Sequence, residues 1–220
     1  MGNDIPIIIL LALTLGGCAA SQAPLPDDNY YRLAALIPAT NAGGSPGVNT
    51  GLNPAAKPPI NGLLMVEELD SDALHGERAL LYSDDPGHRQ LRRDHYNYWS
   101  DAPPRLIQGI LVARLRAAGL ARQTLHYSSD IQADTLLSGR VQRFEQLIDG
   151  ERARVIVAVE LQLLDSGAPQ PRRLTDYREE VILTDTSTAA AIGGFEQALN
   201  HIIDRFISDI LADHGSINGR

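Results

Sequence analysis

The side chains that could do acid–base or metal chemistry are scattered along this chain. Its six histidines show no metal-pair spacing, and no H-E-x-x-H motif or cysteine cluster accompanies them. They are His75, His88, His95, His126, His201 and His214. The sequence contains neither a G-x-S-x-G nucleophile elbow nor a P-loop. Two acid pairs, Glu67-Glu68 and Asp84-Asp85, are typical of solvated strand edges and turns. The sequence therefore predicts no enzyme, no metal and no cofactor.

The single cysteine, Cys18, follows a short apolar run. Residues 5–15 read IPIIILLALTL, and at about 1.5 Å per residue they are too short to cross a hydrocarbon core of roughly 30 Å. Leu-Gly-Gly-Cys comes next and resembles the lipobox of bacterial lipoproteins. In such signals the thiol receives diacylglycerol, the chain is cut before the cysteine, and the new amine is acylated. The resemblance implies a signal peptide at 1–17 and a lipid anchor on Cys18.

The anchor explains why a lone thiol, which has no partner for an intrachain disulfide, stands there. The alternative is a buried free cysteine at the end of a core helix. Each buried CH₂ contributes about 0.8 kcal/mol, so several acyl chains hold a protein stably at a membrane. Ala19 stands where an Asp retains many Gram-negative lipoproteins at the inner membrane. By this resemblance we expect the outer membrane, with the protein facing the periplasm.

Three aromatic residues stand together before a predicted helix. They are Tyr96, Tyr98 and Trp99, in a chain with only 5% aromatic residues. The two tyrosines would share one face of a strand, with Trp99 on the other face or at its end. Tyr and Trp are enriched at protein interfaces, so we interpret the three as a candidate partner-binding surface. The alternative is packing in the core and at the sheet edge.

Composition limits the classes of partner. The formal net charge is −8, and removal of the signal takes away one acid, Asp4, and no base, so it becomes −7. Nucleic-acid binding needs a basic face, and we expect no nucleic-acid partner. With 44% hydrophobic residues, the chain can fill one core.

The hydrophobic pattern predicts one domain at residues 30–214. A lipidated tether at 18–29 precedes it, a flexible Gly/Pro-rich loop at 38–61 interrupts it, and a disordered tail at 215–220 follows. The first strands are predicted at 29–36, 62–69, 77–85, 89–99 and 122–127. Three consecutive antiparallel strands follow at 133–150, 152–165 and 172–185, with a hairpin turn at Asp149-Gly150.

Two long helices complete the pattern. The first has Ser100 or Asp101 as its N-cap, Pro103 and Pro104 in its first turn, and Gly119 as its stop. The second begins at 187 or 188 and ends at 213, before His-Gly. Apolar residues recur at helical spacing in both. The fold class expected is α+β: a mixed, mainly antiparallel sheet with two long helices packed on one face, a two-layer sandwich.

The order of these segments resembles the ABC-type transport auxiliary lipoproteins, the PqiC-like family. After the lipobox come Tyr-Tyr-Arg-Leu at 30–33, Leu-Tyr at 81–82, and Trp99 shortly before two prolines. A segment at 133–139, Phe-Glu at 144–145 and an alternating apolar strand follow. The resemblance covers nearly all of the mature chain and depends on the order and spacing of its parts. The loop at 38–61 is longer than the pattern leads us to expect.

The resemblance implies a non-catalytic periplasmic subunit of a lipid transport system. Such systems include a mammalian-cell-entry (MCE) domain protein that forms rings or tubes across the periplasm, and the lipoprotein docks at their outer-membrane side. The expected partners are this MCE-domain protein and the membrane, with self-association left open. The alternative function is an outer-membrane lipoprotein adaptor or activator for another envelope-assembly machine, because fold does not fix function. A periplasmic hydrolase is disfavoured by the missing nucleophile motif.

Overall fold

The computed structural model describes residues 26–34 and 58–218, with side chains to residue 214. Cys18, the signal peptide and most of the Gly/Pro-rich loop lie outside these residues, so their assignments stay predictions. The described elements are β1 (Asn29–Tyr31), β2 (Ile60–Val66), β3 (Asp70–Ser71), β4 (Ala79–Ser83), β5 (Arg92–Trp99), α1 (Pro103–Ala117), β6 (Ala121–His126), β7 (Thr135–Asp149), β8 (Arg152–Asp165), β9 (Arg173–Ile182) and α2 (Thr188–Asn218).

The strand β7 is the spine of one nine-stranded sheet. One edge of β7 pairs antiparallel with β8 along its whole length, and β9 lies outside β8. The other edge pairs in succession with β2, β3 and β4, all parallel. Strand β6 lies outside β2, and β5 and β1 lie outside β4. Because the longest pairings are antiparallel, the predicted mixed, mainly antiparallel sheet is confirmed.

The strand β8 shows why the helices cover one face. Its alternating apolar side chains belong to the core shared with both helices. They are Val155, Val157, Val159, Leu161 and Leu163. Between them, Glu160 and Gln162 point to the other face and are half-buried. This period of two is what a strand with one covered face requires.

The first helix, α1, begins where the prolines predict. Pro103 occupies its first turn, where the missing N–H costs nothing. The N-cap is Ala102, and Asp101 instead accepts a hydrogen bond from the Ala102 N–H at 2.8 Å. The predicted N-cap at Ser100 or Asp101 is therefore wrong by one or two residues. Gly119 follows the helix with a φ of 62°, as the predicted stop requires.

The second helix, α2, starts as predicted and ends later. The Ser187 hydroxyl accepts a hydrogen bond from the Ala190 N–H at 3.2 Å, which is the geometry of an N-cap. The helix continues to Asn218, so the predicted end at 213 and a disordered tail from 215 are wrong for residues 215–218. A single glycine costs only about 1 kcal/mol in a helix and does not stop it.

A cluster of three aromatic rings joins the sheet to α2. Phe144 stacks on Phe195 with centroids 4.3 Å apart. Trp99 contacts both rings, at 5.3 Å and 5.4 Å. All three side chains are buried. Trp99 ends β5, Phe144 lies on β7 and Phe195 lies on α2. This cluster therefore connects two strands of the sheet to α2.

Candidate docking surface

The strand β5 carries a bulge at its solvent-exposed side. Its register with β4 shifts between Ala79 and Leu81, whose partners are Tyr98 and Arg93. Residues 94–97 of β5 therefore stand opposite a single residue of β4. Bulges re-aim side chains and bend the strand locally.

Asp94 holds this bulge. Its Oδ1 accepts hydrogen bonds from the backbone N–H of Tyr96 at 2.9 Å and of Asn97 at 3.0 Å. Its Oδ2 accepts a third bond from Asn97 Nδ2 at 2.9 Å. The backbone donors that the bulge removes from the sheet ladder are thus satisfied locally. Tyr96 has 36% of its surface exposed, and its backbone is held in place by the hydrogen bonds to Asp94.

Tyr98 supports the bulge from beneath. Its hydroxyl donates to the carbonyl of His95 at 2.7 Å, and its ring stacks on Tyr30 with centroids 5.7 Å apart. The Arg78 guanidinium lies 5.2 Å from the centroid of Tyr30, within range of a cation–π contact. Burial, together with the nearby charge of Asp28, raises the pKa of Tyr98, so its hydroxyl stays a donor. Tyr30, Tyr96 and Tyr98 form what we call the tyrosine surface.

The third aromatic of the sequence motif has a different place. Trp99 is 1% exposed and belongs to the aromatic cluster of the core. Its indole is not available to a partner in this structure. The candidate surface therefore does not include Trp99. It consists of Tyr96 and Tyr98 from the sequence motif together with Tyr30, which is 57% exposed.

A polar cluster built around two buried residues, His75 and Glu145, lies on the sheet face away from the helices. His75, 3% exposed, has Nδ1 at 2.9 Å from both carboxylate oxygens of Asp72. Its Nε2 lies 3.1 Å from Oε2 of Glu145. Arg143 donates to Oε1 of Glu145 through Nε at 2.6 Å. Sequence spacing could not find this cluster, because His75 and Glu145 are 70 residues apart.

The cluster shifts the pKa of both central groups. Burial alone would lower the pKa of His75, but the bonds to Glu145 and Asp72 outweigh burial and raise it. Burial alone would raise the pKa of Glu145, but the bonds from His75 and Arg143 outweigh burial and lower it. The contacts therefore favour the charged form of both groups.

The two acid pairs of the sequence make ion pairs and loop contacts. Glu68 pairs with Arg105 of α1 at 3.3 Å. Asp85 accepts hydrogen bonds from the backbone N–H of Gln90 at 2.9 Å and of Gly87 at 3.1 Å, which holds its pKa down at about 2. Asp84 pairs with Arg92 at 3.1 Å. Asp85 therefore stabilises the loop after β4 by accepting backbone hydrogen bonds.

Across residues 26–34 and 58–218, no group of three or more His, Cys, Asp or Glu side chains is arranged to hold a metal ion. No helix in this part of the chain combines the length and hydropathy needed to cross a bilayer.

Known proteins share this fold. Protein XCC0632 of Xanthomonas campestris superposes with a TM-score of 0.64 at 21% identity, over 76% of this chain and 92% of that one. A second crystal structure, of an uncharacterized protein, gives a TM-score of 0.62 at 16% identity, over 84% and 99% of the two chains. At these identities the similarity shows the fold alone.

Two sequence comparisons go further. An uncharacterized protein of Bradyrhizobium diazoefficiens is 28% identical over 160 residues. The match spans 71% of this chain but only 41% of that protein. The family model described as "ABC-type transport auxiliary lipoprotein component" matches residues 73–206, from the segment that carries His75 to the middle of α2. The chain belongs to the family of ABC-type transport auxiliary lipoprotein components.

Proposed function

We propose that this chain is a non-catalytic accessory subunit of an ABC/MCE-type lipid transport system that maintains the outer membrane. The observation that carries the proposal is the family match over residues 73–206, which includes α1, β7 and the first part of α2. The protein is anchored through acylated Cys18 in the outer membrane and faces the periplasm. Its partner is an MCE-domain protein of the transporter.

The tyrosine surface is the proposed contact for this partner. Tyr96 stands on a bulge that is fixed by three hydrogen bonds accepted by the Asp94 carboxylate, so little conformational freedom is lost when a partner binds. Tyrosine offers a large, rigid contact area and a hydroxyl, which suits the centre of an interface. Tyr98 has a supporting role, because its ring and hydroxyl hold the bulge and Tyr30 together.

Capture of the native lipoprotein from its own envelope, followed by mass spectrometry, tests the proposal. We expect an MCE-domain protein among the captured chains. Tyr96→Ala with Tyr98→Ala should reduce the captured amount at least about tenfold, because a hot-spot residue contributes roughly 2 kcal/mol or more. Tyr127→Ala is the matched control, since Tyr127 is an exposed tyrosine far from the bulge in sequence (49% exposed).

The possible results distinguish an error in the docking surface from an error in the transport role. If the folded double variant captures the MCE protein at full strength, the docking surface is wrong and the transport role stands. If the wild type captures no MCE protein, the transport role fails, and the adaptor or activator of another envelope machine takes its place. Turnover in an esterase or glycosidase screen would contradict the non-catalytic assignment.

A further inference from the structure

The face of β7 that points away from the helices is apolar around Glu145. Phe144 faces the helices, so its neighbour Glu145 faces the opposite side. The register places Ile156 of β8 directly across from Glu145. It also places Leu81 of β4 on the other flank, because Tyr82 pairs with Gln146. With Leu147, two residues along β7, these side chains form a buried set that we call the rear apolar patch: Leu81, Leu147 and Ile156.

Residues 72–78, which connect β3 to β4, approach this patch through His75. The bond between His75 Nε2 and Glu145 places the segment there. Asp72 shapes the segment, because its Oδ1 also accepts a hydrogen bond from the His75 N–H at 2.8 Å. The buried His75 ring thus lies between the buried carboxylate of Glu145 and the carboxylate of Asp72, which is 62% exposed.

The contacts of His75 with Asp72 and Glu145 depend on the protonation state of the imidazole ring. Each ring nitrogen of His75 faces a carboxylate, Asp72 on one side and Glu145 on the other. Only the imidazolium donates from both nitrogens; a neutral ring donates from one and turns a lone pair toward the other carboxylate. The other charge beside Glu145 is Arg143. The segment itself carries Glu77, which pairs with Arg93 of β5 at 2.8 Å, and Arg78, which donates from Nε to the Trp99 carbonyl at 3.1 Å; these groups keep their charge between pH 6 and pH 8.5. The neighbouring strands bring the uncharged Leu81 and Ile156 to this place.

We propose that residues 72–78 are a pH-sensitive cover over the rear apolar patch, held shut by the His75 imidazolium between Asp72 and Glu145. Loss of one proton leaves the ring a single donor for two carboxylates, the buried Glu145 and the 62% exposed Asp72, so one of the two bonds is lost and the cover opens more readily. Opening exposes the apolar side chains of the rear apolar patch. The proposal is independent of the transport role and of Cys18.

The direction follows from the two pKa shifts. His75 has its pKa raised above the ordinary 6.5, so its contribution is complete below about that pH and is lost as pH rises through the higher folded value. Glu145 has its pKa lowered below the ordinary 4.5, so its contribution is complete above that pH and is lost as pH falls through the lower value. The cover is therefore shut across the mildly acidic range and opens on the alkaline side.

Hydrogen exchange of the intact lipoprotein tests the cover. After correction for the intrinsic exchange rate, protection of the amides at 73–78 should fall about tenfold or more from about pH 6 to about pH 8.5, since one pKa unit is a tenfold change. Amides of β8 should keep their protection. His75→Gln should abolish the pH dependence. His201→Gln is the matched control, because His201 pairs with Glu179 at the surface at 3.2 Å.

An NMR titration of the His75 ring in the wild type covers the case in which His75→Gln does not fold. We expect a His75 pKa above 6.5 that moves downward in Glu145→Gln. Equal protection of 73–78 at both pH values overturns the proposal. So does a His75→Gln protein with the wild-type pH dependence, or a His75 ring that titrates below 6.5.

Discussion

Replacing Phe144 with leucine tests the aromatic cluster that joins the sheet to α2. The change keeps an apolar side chain on β7 but removes two ring contacts, to Phe195 at 4.3 Å and to Trp99 at 5.3 Å. Each aromatic pair contributes about 0.5–1.5 kcal/mol beyond its buried area. The smaller side chain also leaves unfilled space in a site where Phe144 is 1% exposed.

The expected loss in the free energy of unfolding is about 2–4 kcal/mol. For a domain of this size that lowers Tm by roughly 4–16 °C, out of a total stability of about 5–15 kcal/mol. Urea unfolding of the lipoprotein in detergent measures it. The chain has one tryptophan, Trp99, so its fluorescence reports on the cluster itself, and far-UV circular dichroism gives an independent curve.

Tyr127→Leu is the control for Phe144→Leu. Tyr127 is 49% exposed, and surface changes of this kind stay within about 0.5 kcal/mol. If Phe144→Leu costs no more than Tyr127→Leu, the three rings do not form the packed centre of the domain, and the assignment of Trp99 to the core is refuted with it.

Two further predictions concern the anchor and the helix layer. Cys18→Ser should leave an unprocessed precursor that takes up no radioactive palmitate, because the thiol is the acylation site; normal labelling would contradict the anchor. Gly194→Ala should lose about 1 kcal/mol or more by overpacking, since its Cβ would lie 2.5 Å from Leu183 Cδ2 and 3.0 Å from Val155 Cγ2. Gly193→Ala, whose Cβ meets nothing within 4 Å, should gain up to about 1 kcal/mol from helix propensity. Equal gains in thermal unfolding at both glycines would show that α2 does not approach β8 so closely.

Local patterns determined much of the fold in advance. The strict alternation in β8 and the paired prolines at the start of α1 each depend on neighbours in sequence, and each is confirmed. The predicted hairpin between β7 and β8 is also confirmed, but Asp149 pairs with Arg152, so the two loop residues are Gly150-Glu151 and not Asp149-Gly150. The two-residue β3 was not predicted, because its pairing with Arg140 and Val141 leaves no periodic signal. The parallel pairing of β2 with β7 was not predicted either, because it joins segments about 70 residues apart.

In the candidate sites, too, features that depend on neighbouring residues could be predicted, and features that depend on distant segments could not. A tyrosine surface before α1 could be proposed from composition, but the place of Trp99 could not, since its neighbours Phe144 and Phe195 come from distant elements. The bulge that presents Tyr96 depends on a register shift between strands. His75 gave no signal because one of its two partners, Glu145, is brought to it only by the folded sheet.

The position of β7 between the other strands also limits the order in which the sheet can assemble during folding. Strands β2, β3 and β4 are synthesised first, yet each pairs along one edge of β7. A chain that stops before Thr135 contains the partners of the β4–β5 and β2–β6 pairings but lacks the strand that joins these pairs into one sheet. By contrast, β7, β8 and β9 are consecutive and pair as hairpins, whose short loops cost little entropy to close. The second half of the domain can therefore serve as the template on which the first half assembles.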